Sequence, residues 1–82
     1  MRINEFIEKE QKLNKKAGFA LEIMLNDLKD SDKYLLEPHK YKLYGFLSAL
    51  HSTDYISKEI YDELFKDIQN IALETFKKLW SL

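Results

Sequence analysis

The chain has 82 residues, 45% hydrophobic and 33% charged, with 13 Lys and Arg against 14 Asp and Glu. That length holds one domain, residues 1–82, since domains usually run to about 100–200 residues. Zero cysteines exclude a disulfide framework, a thiolate zinc site and a cysteine nucleophile, and a net charge of −1 is wrong for a general nucleic-acid binder, which neutralises phosphate with excess Lys and Arg.

Five Phe, five Tyr and one Trp stand beside only two Gly and one Pro, a composition that favours long helices and few turns. From about Ile3 to Asp30, apolar residues fall at Ile3, Phe6, Ile7, Leu13, Ala17, Ala20, Leu21, Met24, Leu25 and Leu28, the period of one helical face. Asn4 suits the N-cap and Glu5 the first turn. The face is thin between Glu10 and Gly18, so a break near Asn14–Gly18 is the alternative to one long helix. Asp30-Ser31-Asp32-Lys33 reads as a turn, and Pro38 as the first position of a second helix. That helix carries Tyr41, Leu43, Tyr44, Phe46, Leu47, Ala49 and Leu50 over more than half its circumference and ends near His51-Ser52-Thr53-Asp54. Gly45 inside it suggests a helix crossing. Ser57 is the clearest helix start, with Tyr55 or Ile56 before it as a hydrophobic staple. The third helix carries Ile60, Leu64, Ile68, Ile71, Ala72, Thr75, Phe76 and Leu79 on one face, and Lys77 and Lys78 complement its C-terminal dipole. The expected fold is all-α: a small three-helix bundle with a long first helix, a short central helix and a long third helix.

No constellation of residues points to catalysis, a cofactor or a metal. His39 and His51 stand alone, and His51 with Asp54 offers two ligands where zinc takes three or four. Glu59/Glu63 and Glu63/Asp67 are spaced for one helix face, but Lys58 and Lys66 lie among them and the pattern reads as solvated surface. Ser48, Ser52 and Ser57 lack a nucleophile elbow, and neither glycine belongs to a phosphate loop. A helix-turn-helix alignment over Leu43–Leu64 would present the acidic helix Ser57-Lys58-Glu59-Ile60-Tyr61-Asp62-Glu63 to phosphate, which repels it. Lys9, Lys12 and Lys16 share a face of a continuous first helix and offer contact to phosphate or an acidic partner, the basis of an alternative reading as a nucleic-acid-associated regulator. No apolar run exceeds three residues, so no bilayer span is expected, and Met1-Arg2-Ile3-Asn4-Glu5 precedes no signal core, which points to the cytoplasm.

The run Tyr44-Gly45-Phe46-Leu47 through Ala49-Leu50, then Tyr55-Ile56-Ser57 and Tyr61-Asp62-Glu63-Leu64, resembles small reading frames of prophages and mobile elements in Gram-positive bacteria. The resemblance covers about a quarter of the chain. It implies an accessory or regulatory protein and carries no site residue with it. Together with the surplus of aromatic residues, it leads to the expectation of a non-enzymatic protein-interaction module that binds and modulates, by inhibition, a host or defence protein.

Helix lengths add an expectation of self-association. At about 1.5 Å per residue, helices of roughly 39 and 33 Å would flank a central one of only about 22 Å. Ile3, Phe6 and Ile7 at one end, and Phe76, Leu79, Trp80 and Leu82 at the other, would then lie uncovered except where Tyr34-Leu35-Leu36 folds back. A two-fold homodimer would bury them. The interface residues expected for a dimer or a partner are Phe6, Ile7, Tyr41, Tyr44, Phe76 and Trp80.

Leu21, Met24, Leu28, Leu47, Leu50, Leu64, Ile68 and Ile71 sit at the centres of their stripes and are expected in the core. Truncating such a leucine costs about 2–5 kcal/mol, in a domain that holds about 5–15 in all. Leu47→Ala is expected to lower the melting temperature by roughly 10 °C or more. A shift of only a degree or two would show that the helix faces are wrongly assigned.

Overall fold

Asn14 divides the expected first helix in two. The structure, a computed structural model, describes residues 1–81, and its helices are α1 (Ile3–Leu13), α2 (Lys15–Lys29), α3 (Leu36–Ser52) and α4 (Lys58–Trp80). Leu82, counted above among the uncovered apolar residues, lies outside the described residues. No strand occurs among the described residues, so the fold is all-α, with four helices in place of the expected three.

The break has a local cause. Asn14 leaves the helical region at φ −142° and ψ 88°. Its N–H still donates to the Glu10 carbonyl, its side chain accepts from the Ala17 N–H at 3.3 Å, and its carbonyl accepts from the Gly18 N–H at 3.0 Å. Asparagine competes with helical backbone bonds in this way, so one residue both closes α1 and caps α2. The two helices then lie so close that a Cβ on Gly18 would sit 2.6 Å from the backbone nitrogen of Gln11 and 2.8 Å from its Cα. The Gln11 amide also donates to the Glu22 carboxylate.

The N-terminus of α1 is capped from another helix. Arg2 at the cap position supplies no side-chain bond, and Asn4 lies inside the helix rather than at its cap. Instead the Ile3 N–H donates to the Asp67 carboxylate at 2.8 Å, and the Met1 ammonium pairs with Glu63. The Glu63/Asp67 pair, expected as solvated surface, thus supplies anions at a helix N-terminus that has donors to spare. At the other end of α1, the Tyr55 hydroxyl donates to the buried Glu10 carboxylate at 2.5 Å. These contacts set α1 antiparallel to α4.

α3 begins at Leu36, ahead of Pro38. The proline still falls in the first turn, where no N–H is needed. Before it, the Asp32 carboxylate accepts the N–H groups of Tyr34 and Leu35, each at 2.9 Å. The Ser57 cap is as expected: its hydroxyl accepts from the Ile60 N–H at 3.2 Å, and Ile56 is buried just before it. Asp54, at φ 60°, makes the turn between α3 and α4, a conformation that Asp tolerates better than most residues. The helices run alternately up and down, and α2 packs against all three others.

The core joins Ile3, Phe6 and Ile7 of α1 to Leu21, Leu25 and Leu28 of α2, Leu36, Leu43 and Leu47 of α3, and Leu64 and Ile68 of α4. Of the expected core, Leu21, Leu28, Leu47, Leu64 and Ile68 are buried, while Met24, Leu50 and Ile71 are partly buried against them. Phe6 and Ile7, expected at an interface, are each only 5% exposed and belong to this core. The overhang that motivated a homodimer is absent at this end, because the N-terminal segment folds back. Gly45 does not mark the expected crossing: it is exposed, and a Cβ there would meet nothing within 4 Å.

The two helical glycines therefore have opposite expected responses to alanine. Gly18→Ala drives a methyl group into backbone and should destabilise the fold by about 1–3 kcal/mol. Gly45→Ala should stabilise it by about 0.5–1 kcal/mol, the difference in helix propensity at an open site. Urea midpoints of the two variants moving in the same direction would contradict the α1–α2 approach.

Candidate interaction site

α4 has two apolar faces, and α1 to α3 cover only one. Leu64, Ile68, Ala72 and Thr75 point into the core. Gln69, Leu73, Phe76 and Trp80, spaced at four, three and four, form a second stripe roughly 100° around the helix. Leu73 is 51% exposed, Phe76 46% and Trp80 60%.

The N-terminal half of α3 runs antiparallel beside this stripe. The Tyr44 ring stacks on Phe65 at 4.3 Å between centroids, and Tyr41 meets Tyr44 edge-on at 6.1 Å. Further along α4, Phe76 and Trp80 lie 5.7 Å apart. Between the helices runs a groove of about 440 Å³, lined by Leu36, Glu37 and Lys40 on one side and by Gln69, Asn70, Ala72, Leu73 and Phe76 on the other. Two lysines lie across the aromatic rings: Lys33 Nζ sits 4.5 Å from the centre of Trp80, and Lys40 Nζ 5.1 Å from that of Tyr41. Lys40 also donates to Glu37 at 2.8 Å.

Of the six residues expected at an interface, Tyr41, Tyr44, Phe76 and Trp80 share this side of the molecule, and Phe6 and Ile7 do not. Leu73, Lys33 and Lys40 were not expected here. Leu73 had a signal: it lies three residues before Phe76 and seven before Trp80, outside the core stripe. The basic face does not survive the break at Asn14, since Lys9 and Lys12 lie on α1 and Lys16 on α2. All three are exposed. α3 and α4 touch at successive points along their lengths, Ser48 with Tyr61 and Tyr44 with Phe65.

Ser31 and the two histidines have structural contacts. The Ser31 hydroxyl donates to the Asp27 carbonyl at 2.7 Å and meets His39 Nδ1 at 2.6 Å, while the His51 ring packs 5.2 Å from Tyr61. Among the described residues, no group of three or more His, Cys, Asp or Glu is placed to hold a metal ion. No helix among them is long and apolar enough to cross a membrane. Compared with protein-family models, curated proteins and solved structures, the chain matches none.

Three groups titrate late, two of them at this site. The hydrogen bond to Glu37 raises Lys40 above its ordinary 10.5, and burial raises Tyr44 above 10.0. At the far end of α1, the hydrogen bond to Glu10 raises Tyr55 above 10.0. Each is raised in the folded state, so its contribution to stability is complete below its ordinary value and is lost as pH climbs through the folded value. The melting temperature is expected to fall above about pH 10, and less steeply in a Tyr44→Phe, Tyr55→Phe double variant. Identical alkaline slopes in the two proteins would show that the fold holds neither phenol protonated.

Proposed function

We propose that the protein is a small non-enzymatic helical interaction module that lays its α3–α4 face on another protein and changes that protein's activity. The observation that carries this reading is the second stripe of α4. Leu73, Phe76 and Trp80 are exposed together, while the core is closed by other residues. Contiguous apolar patches on soluble proteins tend to mark interfaces, and Trp and Tyr are enriched among the residues that carry binding energy. In its finer form, drawn from the resemblance to mobile-element reading frames, the module inhibits a host or defence protein.

The test uses Leu73→Ala with Trp80→Ala. Both side chains are at least half exposed, so the helical circular dichroism is expected to persist and the melting temperature to move by only a few degrees. Used as bait in a Gram-positive bacterial lysate, the wild type should retain a protein that the double variant loses. A collapse of the variant's melting curve would make the stripe part of the fold, and retention of the same protein by both baits would place the interface elsewhere.

A further inference from the structure

We infer that the groove's occupant is a single amphipathic helix of the partner protein, apolar on the face it buries and flanked by carboxylates. The inference rests on the docking reading above and adds the chemistry of the partner. Shape comes first. The α4 wall from Gln69 to Trp80 spans twelve residues, about 17 Å, or three turns of a helix laid alongside. The floor is Leu36 and Ala72, both buried, and the walls are two antiparallel helices, which receive a third in the manner of helix-in-groove recognition.

Charge then selects the occupant. Lys33 lies over Trp80, Lys40 lines the α3 wall, and Lys77 is placed by helical periodicity one turn after Leu73 on the α4 wall. Glu37 is the one carboxylate among the groove's lining residues, and it is engaged by Lys40. Three lysines against one glutamate make a local charge of +2, in a chain whose total is −1. Lys33 and Lys77 form no ion pair among the described residues. Lys66 and Asp62 both precede Gln69, at the Phe65 end and outside the groove. The same arithmetic disfavours a second copy as occupant, because two such faces brought together would oppose +2 with +2. A helix with Glu or Asp beside its apolar stripe meets the rim with opposite charge, which speeds encounter and fixes orientation.

Trp80, the only tryptophan of the chain, reports on the groove directly. Three synthetic tryptophan-free helices of about four turns, sharing one Leu/Phe stripe but carrying Glu, Gln or Lys at the polar positions, are titrated against the full chain while its emission is followed. At low ionic strength the Glu peptide is expected to bind about tenfold more tightly than the Gln peptide, and the Lys peptide most weakly. That preference should shrink at roughly 0.5 M salt and in a Lys33→Gln, Lys77→Gln variant. Equal binding of the Glu and Gln peptides, or tightest binding of the Lys peptide, would overturn the charge inference and leave the docking reading standing. If none of the three moves the emission, the docking reading fails with it. A dimeric sedimentation mass for the free chain, lost on Trp80→Ala, would replace the partner helix with a second copy.

Discussion

At residue 18 the backbones of α1 and α2 come so near that even a methyl group has no room, and the placement of the other apolar residues follows from that contact. With α1 folded back, Ile3, Phe6 and Ile7 face Leu21, Leu25 and Leu28. Each of these side chains, fully buried, stabilises the fold by about 1.5–3 kcal/mol, a large share for a small domain. The two ends of α1 are then fixed from outside the hairpin. Asp67 and Glu63 hold its N-terminus, and Tyr55 reaches Glu10 near its C-terminus. Glu10, a charged residue with almost no exposure, is tolerated because the phenol satisfies it.

The same contact explains what could and could not be read in the sequence. α4 was legible because Ser57 caps it by a local bond and Ile60, Leu64 and Ile68 repeat at four without interruption. The split at Asn14 was legible only as the alternative to one long helix, and helical geometry gives the reason. Ile7 and Leu21 are fourteen residues apart, nearly four turns, so a continuous helix would also set them on one face. The stripe is in phase on both sides of the break and marks it only by thinning between Glu10 and Gly18. Only Asn14 and Gly18 distinguish the two states, one by its competing hydrogen bonds and the other by what it lacks. Glu63 and Asp67 were illegible for a different reason: the donors they serve are more than sixty residues away in sequence.

For the site, Phe76 and Trp80 were found through a mismatch of helix lengths whose first-helix half is removed by the break at Asn14. They were in surplus all the same. Composition fixes how many large side chains a chain must place, while the packing decides which remain outside. Once the hairpin supplies α1 as a fourth wall, the core closes without the second stripe of α4. The stripe itself was visible as Leu73, Phe76 and Trp80 at three and four, but periodicity alone does not say which of two apolar faces turns inward.

Such a face is a liability on a free protein, and the lysines beside it bear on that. Lys33 lies over Trp80 and Lys40 beside Tyr41, each with its ammonium group within reach of the ring face. The rings are thus partly shielded without any loss of charge. Two copies meeting through this face would have to bring like charges together as they strip water from the rings, and both steps cost free energy. A partner that carries carboxylates removes the first cost and keeps the gain from the second stripe. One set of side chains therefore bears both on how this face would meet a second copy and on the kind of surface it would accept.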